Sequence, residues 1–117
     1  MYENLYWYRA ELIRCVDGDS AWFFVDRGFK DFSKLSVRLA RIDCPEMRGA
    51  PEEVEKGIAA TEFAQQMYDR STNIILKSVK LDSFGRAIAE VYLEIDGEWR
   101  NLSDDLVGSD RAIYKQY

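Results

Sequence analysis

The stretch LSVRLARIDCPEMRGAPEEVEKGIAATEF, residues 35–63, changes its period partway along. Residues 35–42 read as a short strand with Val37, Leu39, Ala40 and Ile42 apolar. Arg38 and Arg41 interrupt that run, and it ends on Asp43, Pro45 and Glu46. From Pro51 the spacing becomes helical. Gly57, Ala60, Phe63, Ala64 and Met67 fall on one stripe, with Glu52, Glu55, Glu62, Gln66 and Asp69 mostly opposite. Pro51 followed by Glu52 and Glu53 is a helix start that sets negative charge at the positive end of the dipole. DRSTN, residues 69–73, closes the helix near Arg70. A strand therefore hands over to a helix through an acidic turn.

Strands lie on both sides of this unit. Residues 5–16 form a first strand, DGDS (17–20) a tight turn, and AWFFV (21–25) the return strand. DRGFKDFSK (26–34) is a polar connection, which makes 35–42 the third strand. After the helix, NIILKSVKL (73–81) and RAIAEVYLEI (86–95) flank the turn DSFG (82–85). In the second of these, Ala87, Ala89, Val91, Leu93 and Ile95 face one way, and Arg86, Glu90 and Glu94 the other. DGEW (96–99) reads as a turn. NLSDDLV (101–107) reads as a short helix with Asp104 and Asp105 in its first turn. Five strands with one main helix after the third predict a mainly β fold with helices, a small Greek-key barrel of the OB type. A generic α+β sheet packed on one helix is the alternative, and periodicity does not separate the two. No repeat or linker divides the chain, so residues 1–117 form a single domain.

Composition narrows the chemistry. There is no histidine, which removes Ser-His and Cys-His nucleophile schemes. Two cysteines, Cys15 and Cys44, cannot make a zinc site alone and read as free thiols. Catalysis would have to run on carboxylates, arginines, lysines, tyrosines or an oxygen-ligated metal. No stretch approaches a membrane span, and the N-terminus lacks the pattern of a secretory signal, so the expectation is a cytoplasmic protein. The net charge of −5 argues against an electrostatic coat for nucleic acid.

Asp19 leaves the first hairpin, and Asp43 and Glu46 leave the third strand. If those strand ends are neighbours, three carboxylates converge, and a hard divalent cation would hold them together. Cys44 would offer its carbonyl, because thiolate suits such a cation poorly. Arg38, five residues before Asp43, points to the opposite face by strand parity, which strand twist or a bulge can correct. Arg86 follows the glycine of DSFG. Arginines, a cation and a carboxylate together suit phosphodiester hydrolysis. Taken singly each residue has a plainer reading, as turn former, strand end or ion-paired surface group; their order and spacing distinguish them.

VDGDS (16–20), VRLARIDCPE (37–46), EKGIAATEF (55–63) and LDSFGRAIAEVY (81–92) together resemble the staphylococcal-nuclease-like, or thermonuclease-like, family. NLSDDLVGSDRA (101–112) is a looser match to its next helix. The chain resembles a short form without the long C-terminal helix of larger relatives. The resemblance implies an OB barrel and calcium-dependent hydrolysis of DNA or RNA to 3′-phosphate products. It implies that the Asp19 and Asp43 carboxylates and the Cys44 carbonyl bind Ca2+, and that Glu46 orients or deprotonates water. It implies that Arg38 and Arg86 clamp the phosphate, Arg86 nearer the leaving 5′ oxygen. Phe84, Tyr114 and Tyr117 would contact a single-stranded or flexible DNA or RNA substrate, bound by a monomer. The sequence departs from the family pattern at Ser20 and Cys44, where threonine is usual. Ser83 stands for a basic residue and Phe84 for a tyrosine, which should weaken recognition of a terminal phosphate. The acidic balance has two accounts: a basic rim of Arg41, Arg48, Lys77, Lys80 and Lys115, or modest, metal-dependent affinity, the reading preferred here. A non-catalytic OB binding module is the second function hypothesis, and an acidic nucleic-acid mimic the third.

Overall fold

The Trp22 and Phe23 side chains leave one strand in opposite directions, and that alternation builds the wall of a barrel. A computed structural model describes residues 6–82 and 84–116. Their elements are β1 (Trp7–Asp17), β2 (Ser20–Asp26), β3 (Phe32–Leu39), β4 (Ile42–Asp43), α1 (Pro51–Arg70), β5 (Asn73–Leu81), β6 (Ala87–Ile95), β7 (Glu98–Asn101), α2 (Leu102–Gly108) and β8 (Ile113–Tyr114). Strands pair in the order β3-β2-β1-β5-β6, and β3 pairs again with β6, which closes a five-stranded barrel. The closing pair is parallel and short, from Val37↔Ala87 to Leu39↔Ala89. The other barrel pairs are antiparallel. This is the OB barrel expected from the sequence, with α1 after the third strand; the generic open sheet is not formed.

Inward positions carry the core. Ala21, Phe23 and Val25 of β2 are buried, as are Val37 and Leu39 of β3 and Ala89, Val91, Leu93 and Ile95 of β6. Burying each of the valine, leucine, isoleucine and phenylalanine side chains among these contributes about 1.5–3 kcal/mol. Bulges in β1, between Leu12 and Arg14 and between Cys15 and Asp17, and in β5, between Ser78 and Lys80, bend strands that must curve to close. Helix α1 starts at Pro51, carries Glu52 and Glu53 in its first turn and buries Gly57, Ala60, Ala64, Met67 and Tyr68. Tyr68 meets Phe23 edge to face at 5.8 Å. Ser71 ends the helix, its amide and hydroxyl both donating to the Tyr68 carbonyl. Helix α2 is capped by the Asn101 side chain, which accepts from the Asp104 amide.

Several boundaries differ from expectation. The first strand begins at Trp7, and Leu5 lies outside the described residues. β3 starts at Phe32, so the connection from β2 shortens to residues 27–31. The third strand does not run through to Ile42. It ends at Leu39, and Arg41 adopts φ 68°, which turns the chain before β4 pairs with β8. The turn expected over DGEW is confined to Asp96 and Gly97, because Glu98–Asn101 pairs with β6 as β7. No helix among the described residues is long and apolar enough to cross a membrane.

Candidate functional site

The turn at Arg41 brings the end of β3, β4 and the β1–β2 turn together. Arg38 lies at the centre. Its Nη1 is 2.7 Å from Asp19 Oδ2, and its Nη2 is 3.2 Å from Asp43 Oδ1. The parity argument that set Arg38 against Asp43 therefore fails. It assumed an unbroken strand, and the left-handed residue at Arg41 redirects Asp43 toward the guanidinium.

Backbone contacts fix this cluster. Asp17 Oδ1 accepts from the Asp19 amide at 3.1 Å and from the Ser20 hydroxyl at 2.8 Å. Serine thus keeps the hydroxyl function that threonine would supply. The Cys44 amide donates to Asp19 Oδ2 at 3.0 Å, and the Leu39 amide donates to the Asp19 carbonyl. Two glycines set the closeness of approach. A Cβ on Gly18 would lie 2.8 Å from Cys44 Sγ and 2.9 Å from Ala60 Cβ. A Cβ on Gly57 would lie 2.6 Å from the Glu46 carbonyl oxygen. Helix α1 therefore rests directly on the loop that carries Glu46.

Electrostatics follow from burial. Asp19 is only 6% exposed, and loss of water raises its carboxyl above the ordinary value, with Asp17 adding to the rise. The Cys44 amide and Arg38 oppose that shift. Burial, then the nearby Asp19, Asp17 and Asp43, push the Cys44 thiol far up. Its sulfur stays protonated and is no ligand for a hard cation. Cys15 is also free, and burial pushes its thiol up to about 11.

Not every expected residue joins the cluster. Glu46 is solvent-exposed beyond Pro45. Among the described residues no group of three or more Asp, Glu or Cys side chains is placed to hold a metal ion. The anticipated convergence of three carboxylates is thus reduced to the pair Asp19 and Asp43. Their oxygens suit a hard divalent cation as two ligands, to be completed by carbonyl or water oxygens. Lys115 Nζ also reaches Asp43 Oδ2, at 3.8 Å.

Arg86 is held from below. Its Nε donates to Asp82 Oδ2 at 2.8 Å, and Asp82 Oδ1 accepts from the amides of Phe84 and Arg86. Arg86 is one register step before the Val37↔Ala87 pair, next to Ser36 across the seam. Upstream of that seam β3 and the β5–β6 turn part, leaving a groove of about 710 Å³ whose lining includes Trp22, Lys34, Ser36, Phe84 and Arg86. Phe84 is 84% exposed at its rim. Reading the sequence by motif missed Trp22 and Lys34. The signal was present as alternation in AWFFV and KLSVRL, which sends both side chains outward beside Arg38.

Tyr114 sits in a separate network. Its hydroxyl donates to Asp104 at 2.8 Å, and the Arg41 guanidinium lies over its ring. Arg41 also pairs with Glu90 at 2.6 Å and with Asp104 at 3.0 Å. Arg41 is thereby committed to carboxylates rather than to a basic rim. Tyr117 and Ser83 lie outside the described residues. A family model described as staphylococcal nuclease homologue matches residues 36–117, a span that holds Arg38, Asp43, Cys44, Glu46 and Arg86. No curated protein matches the chain.

Proposed function

The chain belongs to the staphylococcal nuclease homologue family, and on that footing we propose that it is a calcium-dependent endonuclease of flexible DNA or RNA, acting as a monomer and leaving 3′-phosphates. Family membership points to nucleic acid as ligand and to phosphodiester hydrolysis as the usual reaction. The observation that carries the finer reading is Arg38 between Asp19 and Asp43: a phosphate-binding cation and two hard-metal ligands share one cluster.

Each residue has a task in this proposal. Asp19 and Asp43 would hold the ion, with the Cys44 carbonyl as a further oxygen. Calcium bound there would neutralise charge growing on the phosphoryl oxygens. Glu46, on an exposed loop braced by Gly57, orients the attacking water or takes its proton. Arg38 and Arg86 donate hydrogen bonds to the phosphoryl oxygens. Water adds to phosphorus, the bond from phosphorus to the 5′ oxygen breaks, and the 3′ oxygen keeps the phosphate. The departing 5′ oxygen takes its proton from solvent water, and Arg86 steadies it by hydrogen bonding, since a guanidinium gives up its own proton too reluctantly to act as an acid.

The test is digestion of end-labelled single-stranded DNA and RNA with calcium, with magnesium and with chelator. Calcium-dependent fragments that shift on phosphatase treatment are expected. Binding without cleavage under every condition would replace this reading with a non-catalytic binding module.

A further inference from the structure

The turn between β3 and β4 is gripped from three sides, by β6, α2 and β8. Arg41 adopts φ 68° in this turn. A side chain held there is strained, and it persists where its surroundings over-determine it. The Arg41 guanidinium supplies much of the hold. Its Nε and Nη2 donate to the two carboxylate oxygens of Glu90 on β6 at 2.6 and 3.0 Å, and its Nη1 donates to Asp104 Oδ1 in α2 at 3.0 Å. Asp104 Oδ1 also accepts from the Tyr114 hydroxyl of β8, and the guanidinium lies 5.8 Å from the centre of that ring. The backbone is held as well. The buried Ser103 hydroxyl donates to the Ala40 carbonyl at 2.9 Å, the Ala40 amide donates to the Ala89 carbonyl, and the Arg41 carbonyl accepts from the Lys115 amide.

The site begins directly after this turn. Ile42 is fully buried, and Asp43 is the next residue. β4 pairs with β8 over two residues, Ile42 with Tyr114 and Asp43 with Ile113. The direction in which the chain leaves Arg41 therefore sets where Asp43 stands, and with it the 3.2 Å contact from Asp43 Oδ1 to Arg38 Nη2. A guanidinium forked on a carboxylate fixes orientation as well as distance, which an ammonium does not. Charge alone argues the other way. A cation two residues from Asp43 repels a divalent ion, so an Arg41 that acted only by its charge would oppose metal binding.

We propose that Arg41, locked by Glu90 and Asp104, is a positioning residue that sets the Asp43 carboxylate for the divalent ion, with Tyr114 serving this grip from β8. The proposal rests on Asp43 being a metal ligand and assigns the residues outside the cluster on which that ligand depends.

Calcium titration followed by NMR at the Cys44 amide, with no substrate present, reads the metal directly. Hydrogen exchange in the calcium-free protein reads the turn. Arg41→Ala should weaken calcium about tenfold, the common cost of losing a group that orients a metal ligand, although the change removes a positive charge. Arg41→Lys should fall nearly as far, because it restores the charge without the fork. Glu90→Gln and Tyr114→Phe should each weaken calcium about threefold, in line with one hydrogen bond. Arg70→Ala removes an exposed cation at the far end of α1 and should leave the affinity unchanged. In Arg41→Ala the amides of Lys115 and Cys44 should lose protection while those of β5 and β6 keep theirs, which also shows that the barrel is folded. Calcium affinity equal to or above the wild-type value in folded Arg41→Ala would overturn the proposal, as would unchanged protection at Lys115 and Cys44. A wild-type protein with no calcium affinity would instead remove the metal reading, and the exchange measurement would then decide whether Arg41 positions Asp43.

Discussion

Arg38 spans two carboxylates, one of them buried, and its removal should be felt first as instability. Arg38→Ala leaves Asp19 as an unpaired carboxylate away from water, at a cost of about 3 kcal/mol. The Asp19 carboxyl is raised in the folded protein. A raised group favours the fold below its unfolded value and loses that favour as pH rises through the folded value. Losing Arg38 raises it further, so the variant's deficit should shrink as pH falls toward 4 and Asp19 takes a proton. Chemical denaturation at pH 7 and pH 4 measures this; an equal deficit at both would contradict it. Gly57→Ala is the second residue-scale prediction. Alanine favours an isolated helix by about 1 kcal/mol, yet here its Cβ would meet the Glu46 carbonyl at 2.6 Å. A stability loss of about 2 kcal/mol from overpacking, read as a lower melting temperature, is expected together with lost cleavage. Most of the cluster was legible in the sequence, because Asp19, Arg38 and Asp43 sit at strand ends that hairpins bring together. Its internal geometry was not. An arginine at positive φ carries no sequence mark, and without it strand parity sets Arg38 and Asp43 on opposite faces unless twist or a bulge intervenes.

The β5–β6 turn is the element that presents Arg86. Partial loss of water works against ionised Asp82, yet the amides of Arg86 and Phe84 and the Arg86 guanidinium hold its carboxyl below the ordinary value. Its contribution is therefore present above the unfolded carboxylate value, near 4, and is lost as pH falls through the lower folded one. The Phe84 and Arg86 amides should exchange slowly at pH 5 and lose that protection in the acid range; NMR exchange measurements follow it directly. Asp82→Asn should release Arg86 and slow cleavage at pH 7 without unfolding the barrel. Phe84→Tyr should add a hydroxyl and tighten a short oligonucleotide with a 3′-terminal phosphate about fivefold, the net worth of one hydrogen bond, as calorimetry would show. The helix and the two later strands were legible from their periods. β7 was not, because DGEW has turn residues at its start and only the free edge of β6 recruits the remainder as a strand.

The whole molecule is acidic, but its charges are not spread evenly. Arg41 is neutralised by Glu90 and Asp104, while Arg14 and Lys34 share a face with Arg38. Arg38 is itself paired with Asp19 and Asp43, so the two remaining cations predict a shallow salt dependence, a slope of about −1.4 in log affinity against log salt for single strands. Titrations of (dT)12 between low and moderate salt would give it, and a much steeper slope would place binding elsewhere. The barrel itself was legible because five strands and a helix in this order have few ways to bury their faces. The uneven placement of charge was not, since net charge sums over surfaces that the fold separates. The central claim is that this cluster hydrolyses phosphodiesters, and Glu46 tests it best, being exposed and remote from the core. Cleavage of single-stranded DNA in calcium by Glu46→Gln should fall at least a hundredfold while thermal stability stays at the wild-type value. Full activity in that variant would contradict the account.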